Sequence, residues 1–120
     1  MRIEDQVLDR IAIIEAKTIL GDGIYDLINQ YIADTRVMLA DIEISRSDGT
    51  YDDILAAMIR LKTVSAYVGA RKVMMCAVEL EKILCHNLQV VCLETEEKID
   101  RYLTLIRDGF DHYQKQVALI

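Results

Sequence analysis

Residues 54–68 read Ile-Leu-Ala-Ala-Met-Ile-Arg-Leu-Lys-Thr-Val-Ser-Ala-Tyr-Val, and the spacing of their apolar positions decides the fold. Ile54, Met58, Leu61, Ser65 and Val68 recur at intervals of four, three, four and three. That is the repeat by which one face of an α-helix meets a core. Thr50, with Asp53 three residues on, resembles a capping box that starts this helix.

The same period extends in both directions. Downstream of Gly69, Val73, Ala77, Leu80 and Leu84 predict a helix over about residues 70–86. Ile99, Leu103, Ile106, Phe110, Tyr113 and Val117 predict a last helix from near Thr95, with Glu94, Glu96 and Glu97 set favourably against its dipole. Residues 87–93 have strand-like composition but no partner strand, and read as a buried connection. Upstream, Ile24, Ile28, Tyr31, Thr35, Met38 and Ile42 predict a helix over about 23–44, ended by the turn cluster Ser45–Gly49. Ile3, Val7, Ile11 and Ile14 predict a first helix over about 3–18, closed by Gly21-Asp22-Gly23, with Asp22 placed to cap the next helix.

Five helices with short connections imply antiparallel neighbours. The expected architecture is all-α: an up-down four-helix bundle with an additional N-terminal helix, one domain over residues 1–120. Composition agrees. The 120 residues contain no proline, and 52% are hydrophobic, which favours uninterrupted helices over disorder.

Charge narrows the function. A formal net charge of −6 is the wrong sign for binding nucleic acid or anionic lipid through a basic surface. No apolar run approaches the roughly 18–20 residues of a membrane span, and early acidic residues are unlike a signal peptide. The expected location is the cytoplasm, where three cysteines without a C-x-x-C pair are inert thiols. Cys85, His86 and Cys92 match no zinc spacing, and neither a metal nor a cofactor is expected. His86 and His112 read as ordinary surface histidines, Glu79 and Glu81 as a solvated face, and Met74 and Met75 as core or edge fillers.

The 54–68 helix also carries an outward strip. On a helical wheel Ile59 lies roughly 140° from the core direction, with Ala66, Leu55 and Lys62 roughly 120°, 100° and 80° off on the same side. Thr63 and Gly69 extend this strip. An exposed apolar strip rimmed by a lysine suits contact with another protein.

The run Ala57–Ala70 resembles the signature of histidine-phosphotransfer (HPt) domains: a histidine, any residue, Leu-Lys-Gly, two small residues, then a short gap to Gly-Ala. Leu61, Lys62, Ser65, Gly69 and Ala70 match it. Cys76–Glu81 is similar to the family's next helix, and Leu20-Gly21-Asp22 with Tyr25, Leu27, Ile28, Tyr31 and Ile32 to the opening of its second. Asp48-Gly49 fits the turn into the third, so the similarity covers about residues 7–86.

The resemblance implies an HPt-like bundle in a two-component phosphorelay, with a response-regulator receiver domain or a sensor histidine kinase as partner. The departures change what the chain can do. Ile59 stands where the family carries its phosphoryl-accepting histidine, and a hydrocarbon side chain offers no lone pair to phosphorus. Thr63 replaces the glycine that keeps the approach open, whereas the lysine that helps neutralise the phosphoryl group is kept as Lys62. The expected function is therefore a docking adaptor or competitor, not an enzyme, that contacts its partner through Leu55, Ile59, Lys62, Thr63, Ala66 and Gly69. The alternatives are phosphotransfer through His86 or His112, and a structural bundle whose copies form a homodimer through Ile59.

Overall fold

The computed structural model describes residues 6–87 and 92–119. In chain order its helices are α1 (Arg10–Leu20), α2 (Gly23–Asp48), α3 (Tyr51–Tyr67), α4 (Arg71–Asn87) and α5 (Leu93–Val117). No strand occurs among the described residues, only a single bridge between Leu8 and Ala70.

The periodic residues of the four long helices build one core. Ile54, Met58, Leu61, Ser65 and Val68 are all buried, as are the stripes of α2 and α4. In α5 the stripe is buried from Ile99 to Tyr113, and Val117 packs against its edge. Each fully buried aliphatic or aromatic side chain contributes roughly 1.5–3 kcal/mol of transfer free energy, so this shared interior is the main stabilising term.

Helix directions follow from contacts at their ends. Arg46 in the last turn of α2 pairs with Glu96 and Asp100 at the start of α5, while Arg36 donates to Gln114 near the end of α5. Those two helices are antiparallel. Tyr51 at the start of α3 donates its hydroxyl to Glu96, and Tyr113 near the end of α5 donates to the Val68 carbonyl at 2.7 Å. So α3 and α5 run parallel, with α4 packed against both. α1 lies against α2 and α3.

The first helix departs from expectation. Residues 6–9 are not helical; Asp9 donates its backbone N–H to the Gly69 carbonyl at 2.8 Å, and Arg71 donates to the Val7 carbonyl at 3.1 Å. The Asp9 carboxylate then accepts from the Ala12 N–H at 3.1 Å and caps α1. An aspartate that caps a helix starts it there and cannot also sit in its interior. The phase moves accordingly: Ile13 is buried, whereas Ile11 and Ile14 of the expected stripe are 70% and 64% exposed.

Smaller corrections concern the turns. Ser45–Asp48 continue α2, which ends at Gly49 in the left-handed region. Thr50 occupies the cap position of α3, yet its hydroxyl donates back to the Ser45 carbonyl at 3.0 Å, so no capping box forms. Asp22 likewise makes no side-chain cap bond. The connection expected to be buried falls mostly on residues 88–91, outside the described residues; Cys92 and Leu93 at its end are exposed, and Leu93 opens α5.

Candidate functional site

The outward face of α3 is built by the same helical phase that buries its stripe. Ile59, one residue past buried Met58, is 44% exposed at the middle of the helix. Thr63, one turn on, is exposed and donates its hydroxyl to the Ile59 carbonyl at 3.2 Å. That back-bond turns the polar atom onto the helix and leaves the methyl for the surface. Ala66 continues the strip and is exposed. Leu55 is half-buried and packs against the core edge, so it supports the strip from below.

Two of the sequence-assigned residues sit differently. Lys62 reaches α4, where its ammonium donates to both Glu81 carboxylate oxygens at 2.9 and 2.7 Å. Its charge is therefore matched within the fold, and Glu81 is a half-buried partner instead of part of a solvated face. Gly69 is buried, with φ of +72°. A Cβ there would come within 2.7 Å of the Asp9 carbonyl oxygen and 2.8 Å of the Ile13 Cγ1. The glycine does allow a close approach, but the chain's own N-terminal segment makes it; Gly69 is not on the outward strip.

The wheel centred on Ile59 missed the other flank of α3. Arg60, Val64 and Tyr67 are exposed there and, with Leu20 and Leu27, line an apolar cleft between α3 and α2. Their own i, i+4, i+7 spacing is visible in the sequence, but that α2 would complete the cleft is a tertiary fact.

Other chemistry-bearing groups stand apart. His86, in the last turn of α4, and His112, on α5, are both exposed. Cys76 is buried, and Cys85 and Cys92 are exposed. The Cys92 thiol lies 3.3 Å from the Thr95 hydroxyl, and that hydrogen bond holds its pKa below the ordinary thiol value. Among the described residues no group of three His, Cys, Asp or Glu side chains could hold a metal ion, and no helix is long and apolar enough to cross a membrane.

The strip on α3 thus presents aliphatic surface at Ile59 and Ala66, a methyl at Thr63 and an ion pair along its α4 side. It carries no imidazole. What such a surface can do chemically is exclude water against a complementary apolar face. Compared with protein-family models, with curated proteins and with solved structures, the chain finds no match.

Proposed function

We propose that this chain is an HPt-like docking module that binds a response-regulator receiver domain or a sensor-kinase module in the cytoplasm and carries no phosphate at the usual position. The observation that supports this most is Ile59. It stands where the resemblance places the phosphoryl-accepting histidine, at mid-helix and 44% exposed, and it is a hydrocarbon. A face that would present an imidazole for transfer instead presents contact surface, and the effect on the partner is occupancy: while docked, the module blocks exchange with phosphate-carrying proteins.

Ile59, Thr63 and Ala66 form the contact, with Leu55 beneath them. Lys62 reaches a partner's acidic pocket only by leaving Glu81, so recognition through this strip is mainly apolar. Gly69 contributes by fixing the end of α3 against the N-terminal segment.

The test is a binding titration against the receiver and kinase modules encoded beside or co-purified with this chain. Ile59→Asp is expected to abolish binding with circular dichroism unchanged. Label from a phosphorylated receiver appearing on His86 or His112 would replace this reading with phosphotransfer. Self-association that Ile59→Asp disrupts, without any receiver binding, would replace it with a homodimeric bundle.

A further inference from the structure

Beside its core stripe each of α2 and α3 carries a second one. On α2 it runs Leu27, Gln30, Asp34, Val37 and Asp41, at intervals of three, four, three and four. On α3 it runs Asp53, Ala57, Arg60, Val64 and Tyr67, at four, three, four and three. Both stripes line one continuous groove between the helices, in which Asp34, Met38 and Arg60 join a lower stretch of about 600 Å³ to an upper one of about 430 Å³. Two adjacent stripes at this spacing are what a helix shows when it packs against two partners in a bundle. The first has its partner in the core. Apart from Leu20 at the upper mouth, only α2 and α3 line the groove among the described residues, so the second pair of stripes faces solvent. From Asp53 to Tyr67 the groove runs about 21 Å, four helical turns.

The two ends differ in chemistry. Leu20, Leu27, Val64 and Tyr67 make the upper end apolar, and all four are exposed. The Tyr31–Ser65 contact sets the level of the antiparallel pair; from it Asp41 falls level with Leu55, two residues from Asp53 on the facing wall. Val37 and the small Ala57 lie between these carboxylates and the middle of the groove. Asp41 and Asp53 are exposed, and neither carboxylate has a hydrogen bond or ion pair to a described residue. Asp34 offsets Arg60 at mid-groove, so the lower end keeps two unmatched negative charges. These charges choose the occupant. A second copy laid on this groove about a two-fold axis would set Asp41 and Asp53 against their own kind or against Leu27 and Tyr67, unfavourable either way. Anionic lipid and nucleic acid have the wrong sign. A helix with one apolar face and cations at one end gives each end of the groove its complement.

We propose that the α2–α3 groove docks a cationic amphipathic helix of about four turns from another protein. The apolar residues of that helix lie on Val37, Ala57, Val64 and Tyr67, and its lysines or arginines reach Asp41 and Asp53. Ile59, Thr63 and Ala66 do not line the groove. The two surfaces are therefore separate, and this one does not depend on the docking reading.

The test is titration of the full chain, at about 0.15 M salt, with a helical peptide of roughly 16 residues. The peptide has leucines at 3-4 spacing along one face, lysines flanking them in one half and glutamines in the other. Calorimetry should give saturable one-to-one binding, and amide NMR should place the shifts along α2 and α3 at Val37, Asp41, Ala57 and Val64. A peptide of the same composition in scrambled order, and one with glutamates for the lysines, should each bind at least tenfold more weakly. Asp41→Asn with Asp53→Asn should weaken the lysine peptide several-fold to roughly tenfold and flatten its salt dependence. Val64→Asp should abolish binding. Asp41, Asp53 and Val64 are all exposed, so helix content should stay unchanged in each variant. No saturable binding, equal affinity for the scrambled or glutamate peptide, indifference to the aspartate changes, or shifts centred on Ile59 would each overturn the proposal. Self-association of the chain that Val64→Asp abolishes would overturn it too, in favour of a second copy.

Discussion

The Tyr31 hydroxyl and the Ser65 Oγ lie 2.8 Å apart inside the bundle, both side chains buried. This one bond explains why a serine occupies a core position of α3. It also ties α2 to α3 at the level where Tyr31 meets Tyr113 edge-on, with ring centroids 5.4 Å apart. Ser65→Ala removes one hydroxyl partner of a buried phenol, Thr35 being the other, and is expected to cost about 1 kcal/mol. Tyr31→Phe should cost less, because the serine hydroxyl it leaves can turn to a carbonyl one helical turn back. The double variant should be less destabilised than the sum of the two. Urea unfolding of the four proteins measures the cycle, and strict additivity would mean the bond contributes nothing.

Burial also pushes the Tyr31 phenol up to about 12 from its usual 10, and Tyr113 rises for the same reason. A raised pKa means the folded state holds the proton more tightly than the unfolded chain does. The stabilisation is then fully present below pH 10 and is lost as pH climbs through the folded value. Stability should fall between about pH 10 and 12, by roughly 2–3 kcal/mol from Tyr31 alone. Chemical unfolding across that window checks the slope, and tyrosinate absorbance should show these two rings ionising after the exposed tyrosines. Early ionisation of all tyrosines together would contradict the burial.

Gly69 joins α3 to α4 at φ +72° with the Asp9 carbonyl oxygen against its Cα. Gly69→Ala adds left-handed strain of about 1–2 kcal/mol and a backbone clash that no rotamer relieves. The expected loss is at least about 2 kcal/mol, with α1 released first. Amide exchange at Ile13 should accelerate more than at Leu103; uniform acceleration would mean that α1 and the bundle open as one unit.

The Lys62–Glu81 pair is only partly shielded, with side-chain exposures of 35% and 19%. Solvent screening limits such a pair to about 1 kcal/mol or less. Lys62→Met is therefore expected to change stability by under about 1 kcal/mol, in either direction, and to show little salt dependence. A loss of several kcal/mol would mean the pair is far better desolvated than its exposure indicates.

The bundle was legible because periodicity is a local signal that the core then enforces. The α3 stripe could be placed from spacing alone, since every one of its positions, including Ser65, faces inward. Three things were not legible for one reason: each depends on a partner distant in sequence. Asp9 reads as one more residue of an amphipathic helix until Gly69 and Arg71 bind its neighbourhood. Lys62 reads as a solvated rim charge until α4 brings Glu81 to it, nineteen residues away. The cleft opposite Ile59 needs α2 laid beside Val64. Ile59 itself was correctly placed outward, because exposure on a helix facing one core is a matter of angle.

That angle separates folding from contact at Ile59. Ile59 has 44% of its surface in water, while Met58 and Leu61 supply the burial on either side. Ile59→Asp is expected to shift stability by no more than about 0.5 kcal/mol, the usual range for a surface substitution, since the new carboxylate is hydrated. Docking is another matter: a charge at the centre of an apolar contact has to be desolvated without a partner, which costs several kcal/mol. Urea unfolding and receiver binding of the same variant should therefore diverge, with the first nearly unchanged and the second lost. If both fall together, Ile59 serves the fold and the strip is not a docking face; if neither changes, the contact lies elsewhere on the molecule.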